Sequence, residues 1–134
     1  MLIKEKFNPE KLELWKKLVQ THFDNPPAVC PADLSQAFRG IVDGLDMGEV
    51  RIAEKKDSQW LVNDWAKKAI LLWFRYTPSE KMYEAGLPFL DKVPVKEPND
   101  KIRIVPPGVA RYGSYMAGGS ILMPGYINIG AYVD

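Results

Sequence analysis

The end of the chain carries its strongest constraint. Residues 105–134 can be cut into five sixes: VPPGVA, RYGSYM, AGGSIL, MPGYIN and IGAYVD. The fifth place holds Val109, Tyr115, Ile121, Ile127 and Val133, and the first holds Val105, Arg111, Ala117, Met123 and Ile129. The second place holds only proline, tyrosine or glycine. Bulky residues at one fixed place in six, with glycine or proline at another, fit a solenoid of hexapeptide repeats. Each repeat then gives one short strand on a flat side, and the chain turns at the corners. Gly118, Gly130 and the prolines suit the corners. The fixed apolar places are expected to point inward and stack on the next coil. The same residues also allow a meander of strands with Gly/Pro turns, and Arg111 and Tyr115 at repeat places speak for it.

Upstream the period changes to that of helices. Asn8-Pro9 offers an N-cap and a proline at the first helical position. Leu12, Trp15, Leu18, Val19 and Phe23 then make one apolar face, and Asn25-Pro26-Pro27 ends it. A second helix starts near Pro31, buries Leu34, Phe38, Ile41, Val42 and Leu45, and stops at Gly48. Val50 and Ile52, then Trp60 and Val62, alternate with polar neighbours about Lys56-Asp57-Ser58, which reads as a β-hairpin. Asn63 caps a third helix, DWAKKAILLWFRY, apolar around most of its girth and therefore central. The tryptophans and Phe74 read as core. A base-stacking platform is the alternative, but no basic stripe accompanies them. Thr77 to Asp100 is proline-rich with little periodicity, an extended connector. Its Lys92 and Lys96 read as solvated, with contact to an anionic ligand as the alternative. The fold class is α+β: a helical domain with a hairpin and connector over 1–100, then the first solenoid coils over 101–134.

Composition removes several functions. Eighteen basic and seventeen acidic residues leave a net charge of +1, which argues against electrostatic binding of nucleic acid or membranes. Cys30 stands alone, so no internal disulfide forms, as in a reducing compartment. With His22 the only histidine, no metal site is expected. MLIKEKFNPEK is no secretory signal, and AILLWF is too short to span a bilayer. A cytoplasmic protein is the simplest class.

Five stretches, VRIAEK, QWLVNDWAKKAILLWFR, LDKVPVK, IRIVPP and ILMPGYINIGAYVD, resemble in order and spacing the N-terminal half of the tetrahydrodipicolinate N-succinyltransferase family. These are bacterial enzymes of the succinylase route to diaminopimelate and lysine. The resemblance runs from about Ala37 to Asp134, and the first helix matches poorly. It implies a left-handed parallel β-helix after the helical domain, a homotrimer, and active sites between neighbouring β-helices. It implies succinyl-CoA as cosubstrate, no resident cofactor, and as acceptor the amine of ring-opened tetrahydrodipicolinate, a dicarboxylate.

Arg103 matches the family arginine that binds substrate carboxylate, and a guanidinium fork suits that group better than lysine. A surface arginine beside the first strand is the plainer account. The family's catalytic carboxylate falls in an MVD run beyond Asp134, so no catalytic residue is expected within the chain. Asp134 reads as a corner carboxylate, and the residues for the CoA arm belong to later coils. The implied chemistry is acyl transfer, with a carboxylate base taking the amine proton and donors stabilising the thioester oxyanion. A fragment of such an enzyme should have no turnover alone. A non-enzymatic assembly module and an acetyl-CoA-using relative are the alternatives.

Overall fold

The computed structural model describes residues 6–84 and 86–134. Asn8 caps a 3-10 turn, Pro9–Lys11, its side chain accepting from Glu10 N at 2.9 Å. The turn runs into α1, Leu12–Phe23, which buries Trp15 and Val19. Helix α2, Ala32–Met47, buries all five of its expected apolar residues. It stops at Gly48, whose φ of +78° suits glycine. Helix α3, Asp64–Tyr76, contributes Ala66, Ala69, Ile70, Leu72 and Trp73 to the same core and touches both other helices. Its central position is as expected, although Leu71 remains exposed.

Between α2 and α3, β1 (Ala53–Lys56) and β2 (Gln59–Val62) pair antiparallel. Asp57 and Ser58 both take positive φ in the two-residue turn, the form that matches strand twist. Two expectations fail here. Trp60 is not core: it is 68% exposed, because no described residue covers the hairpin face that carries it. Asn63 makes no side-chain cap on α3. Its amide instead donates to Arg51 O at 2.8 Å and Glu54 Oε1 at 3.0 Å, bracing the hairpin base.

The connector is more structured than its prolines suggested. β3 (Glu80–Glu84) and β4 (Leu87–Asp91) form a second antiparallel hairpin, and Val93 is buried in the helical core. Lys92 and Lys96 are tied down rather than solvated. Lys92 Nζ donates to Phe74 O at 2.5 Å. Lys96 is buried and donates to Asp46 Oδ1 at 2.8 Å and Asp46 O at 3.0 Å.

The tail forms six two-residue strands: β5 Arg103–Ile104, β6 Val109–Ala110, β7 Tyr115–Met116, β8 Ile121–Leu122, β9 Tyr126–Ile127 and β10 Tyr132–Val133. They pair in parallel, β5 with β8, β6 with β9 and β7 with β10, each strand meeting the third one after it. Arg103 faces Ile121, Val109 faces Tyr126 and Tyr115 faces Tyr132.

The inward set differs from the expected one. Ile104, Ala110, Met116, Leu122, Ile127 and Val133 face a small second core with Ile102. Val109, Tyr115 and Ile121 face out. Both residues of these strands are apolar, so a period of six alone cannot tell the faces apart, and a shift of one residue exchanges them. The turn before β9 is one residue short, which returns Ile127 and Val133 to the expected frame. Likewise the left-handed corner residue is Gly119 rather than Gly118, while Gly130 is at +86° as expected.

Candidate functional site

The outward residues of the tail lie on three faces with different covers. The Tyr115 and Tyr132 face meets the helical unit. The two rings pack at 4.6 Å between centroids, and the Arg51 guanidinium lies 3.7 Å from the Tyr132 ring centre. A Cβ at Gly48 would come within 2.8 Å of the Tyr115 ring, so the helix end abuts this face. The Val109 and Tyr126 face lies by the second hairpin, with a 320 Å³ cavity between them. There Arg111 bonds Asp91 Oδ1 at 3.0 Å and Asn128 Oδ1 at 2.9 Å. The remaining face, β5 with β8, has no such cover among the described residues. It presents Arg103, with Ile121 52% and the following Met123 58% exposed.

Arg103 is held by its backbone, its N–H donating to Ser120 O at 3.1 Å, and its side chain is exposed. Among the described residues its guanidinium makes no hydrogen bond or ion pair, which leaves the fork available to a ligand. Lys101, two residues earlier, was not singled out from sequence. Its exposed side chain passes Gly118, where a Cβ would stand 3.6 Å from it. The available signal was the K-x-R spacing, since residues two apart in extended chain share a side. Asp134 is exposed at the last strand's end, away from any assembled set of acid–base groups among the described residues.

A buried polar seam fixes this open face relative to the helices. Asp43 and Asp46 lie one turn apart on α2. Asp43 accepts from Phe7 N at 2.6 Å and from Tyr112 OH at 2.8 Å. Asp46 accepts from Lys96 Nζ and from Gly113 N at 2.9 Å. The Tyr112 phenol is pushed far above its usual range, by burial first, then by its hydrogen bond to Asp43 and the charges of Asp43 and Asp46, with Arg39 opposing. Elsewhere burial raises the Cys30 thiol, and the Asn63 amide lowers the Glu54 carboxyl. Among the described residues no cluster of His, Cys, Asp or Glu could hold a metal ion, and no helix is long and apolar enough to cross a membrane.

Helices, hairpins and i-to-i+3 parallel strands define a small α+β unit, and comparison with known proteins says which. Residues 14–76 match the profile of the tetrahydrodipicolinate N-succinyltransferase N-terminal domain. Relatives named 2,3,4,5-tetrahydropyridine-2,6-dicarboxylate N-succinyltransferase extend the match. The one from Azoarcus sp. is 47% identical over 127 residues, 86% of this chain and 46% of the relative. The one from Acinetobacter baylyi is 44% identical over 129 residues, 87% and 47% respectively. The one from Psychrobacter sp. is 48% identical over 114 residues, 78% and 42%. The chain belongs to the tetrahydrodipicolinate N-succinyltransferase family, and it spans just under half the length of these relatives, over their N-terminal portion.

Proposed function

We propose that this chain is the acceptor-side portion of an enzyme that moves succinyl from succinyl-CoA to the amine of ring-opened tetrahydrodipicolinate, in lysine and diaminopimelate biosynthesis. In this reading residues 101–134 begin a left-handed parallel β-helix of hexapeptide repeats, residues 1–100 are the helical domain and its connector, and the cytoplasmic enzyme is a homotrimer. Succinyl-CoA enters as cosubstrate, and the general base and the CoA-binding groups come from sequence after Asp134. Arg103 binds an acceptor carboxylate, with Lys101 as a second cation toward the same dianion.

The observation that supports the acceptor role is the open face. Two faces of the tail have neighbours within the chain; among the described residues the β5–β8 face has none, and the Arg103 guanidinium has no partner. A guanidinium in water gains little from a single exposed carboxylate. Enclosed between two copies it would gain far more, through a two-pronged charge-assisted bond. A carboxylate held this way fixes the acceptor so that its amine meets the thioester carbonyl at short range, which is where most of the rate advantage of positioning arises.

The test joins residues 1–134 to the remaining C-terminal portion of the Azoarcus relative and compares Arg103 with Arg103→Ala. The expected result is an acceptor KM raised by about tenfold or more, with the KM for succinyl-CoA little changed. Equal effects on both constants would remove Arg103 from the acceptor site.

A further inference from the structure

The β1–β2 hairpin displays more than a free tryptophan. Cross-strand register puts Ala53 with Val62 and Lys55 with Trp60 on one face. All four residues are exposed, Val62 by 64%. The other face carries Glu54, Lys56, Gln59 and Leu61, with Glu54 anchored by Asn63. The base of the ribbon is braced, since Asn63 N also donates to Ile52 O at 2.7 Å. An indole held out on a braced ribbon has little ordering entropy left to lose on docking, and tryptophan is the residue type that most often anchors an interface.

The β3–β4 hairpin offers the complementary shape. A groove of about 460 Å³ lies between it, the segment 94–98 and the first strands of the tail. Leu87, Phe89, Val95 and Ile104 line it, and Glu84 and Glu97 bring carboxylates. Its one ammonium, Lys96, is already committed to Asp46. The hairpin also leaves Tyr83 73% and Leu90 67% exposed. A two-stranded ribbon open to water in this way is marginal unless something packs on it.

Charge chooses the occupant. The exposed face of β1–β2 is apolar with a single cation, Lys55, across the ladder from Trp60, while the groove is apolar with carboxylates. One chain therefore carries both halves of a contact, on two different hairpins. A contact between unlike patches is head-to-tail, and it closes into a ring when the rotation between copies permits. We propose that Trp60 of one copy enters the β3–β4 groove of the next, with Lys55 set against Glu84. The ring size rests on the homotrimer of the preceding reading; the contact itself does not.

Sedimentation velocity of the 134-residue chain over a range of concentrations tests this, with Trp60→Ala, Lys55→Glu, Glu84→Lys and the double reversal Lys55→Glu/Glu84→Lys. The parent chain should self-associate. Trp60→Ala and each single reversal should weaken association by about tenfold or more, and the double reversal should recover most of it. Melting followed by circular dichroism, at concentrations low enough that the parent is monomeric, should stay unchanged, since these side chains are exposed. Association by Trp60→Ala as strong as the parent's would overturn the contact while leaving a trimer through other surfaces intact. A chain monomeric at every concentration would overturn it outright. Sedimentation of that monomer with anionic phosphatidylserine vesicles would then assign the face to a lipid surface. The acyl-transfer reading is judged separately, by turnover of the fusion.

Discussion

Asp46→Ala should be among the most damaging single changes outside the apolar core. Lys96 is 6% exposed, and among the described residues its ammonium has only Asp46 as acceptor, through Oδ1 and the backbone oxygen. Alanine keeps the backbone oxygen but removes the counter-charge, and it also orphans the Gly113 N–H that donates to the same carboxylate. Breaking a buried ion pair from one side costs about 3–5 kcal/mol, because the remaining charge stays buried. The Asp46 side chain is 21% exposed, so water can relieve part of this, and about 3 kcal/mol is the working figure. At an unfolding entropy of about 2 cal/mol/K per residue this lowers Tm by about 10 °C. Lys96→Met removes the charge instead and leaves Asp46 bonded to Gly113, so it should cost only about 1 kcal/mol. The pair should be non-additive by about 2 kcal/mol in a double-mutant cycle. Urea unfolding followed by circular dichroism reads all three variants. A cost below about 1 kcal/mol for Asp46→Ala, or simple additivity with Lys96→Met, would refute the claim that this pair clamps the connector and tail to α2.

Other outcomes follow from the same geometry. The Tyr112 phenol is raised in the fold, so the native state holds its proton where the unfolded chain releases it. Its contribution should be complete below pH of about 10 and lost as pH climbs above that. Tyr112→Phe should flatten the alkaline decline in stability, read by urea unfolding at a series of pH values. Gly40→Ala should destabilise by about 1–2 kcal/mol despite alanine's better helix propensity, because the new Cβ would collide with the buried Trp15 ring; chemical denaturation checks it. The 134-residue chain alone should release no CoA from succinyl-CoA with acceptor present, and measurable release would contradict the assignment of the base to later sequence.

The helices were legible because burial and period coincide: each has one stripe facing one core, and proline or glycine marks its end. The tail was legible as a repeat of six but not as to its faces. Val109 is apolar because it lies by a hairpin, Tyr115 because it meets α2, and Ile121 stays apolar on the open face. An apolar residue therefore stands on both sides of each of these strands, and only pairing separates inside from outside. The second hairpin was hidden because Pro88 interrupts its pattern and because only Met82, Phe89 and Asp91 of its ten strand residues are even half-buried, leaving little alternation to read. Lys96 looked solvated because its partner lies fifty residues upstream. Trp60 looked like core because aromatic residues usually are. Arg103 was identified through family resemblance; the structure adds an exposed side chain on a face that is uncovered among the described residues.

The most direct measurement is acceptor-dependent CoA release by the fusion of residues 1–134 to the C-terminal portion of the Azoarcus relative. It should turn over succinyl-CoA with tetrahydrodipicolinate at a rate near that of the intact relative. A folded fusion that releases no CoA with acceptor present would contradict the proposal that this chain is the acceptor-side portion of an N-succinyltransferase.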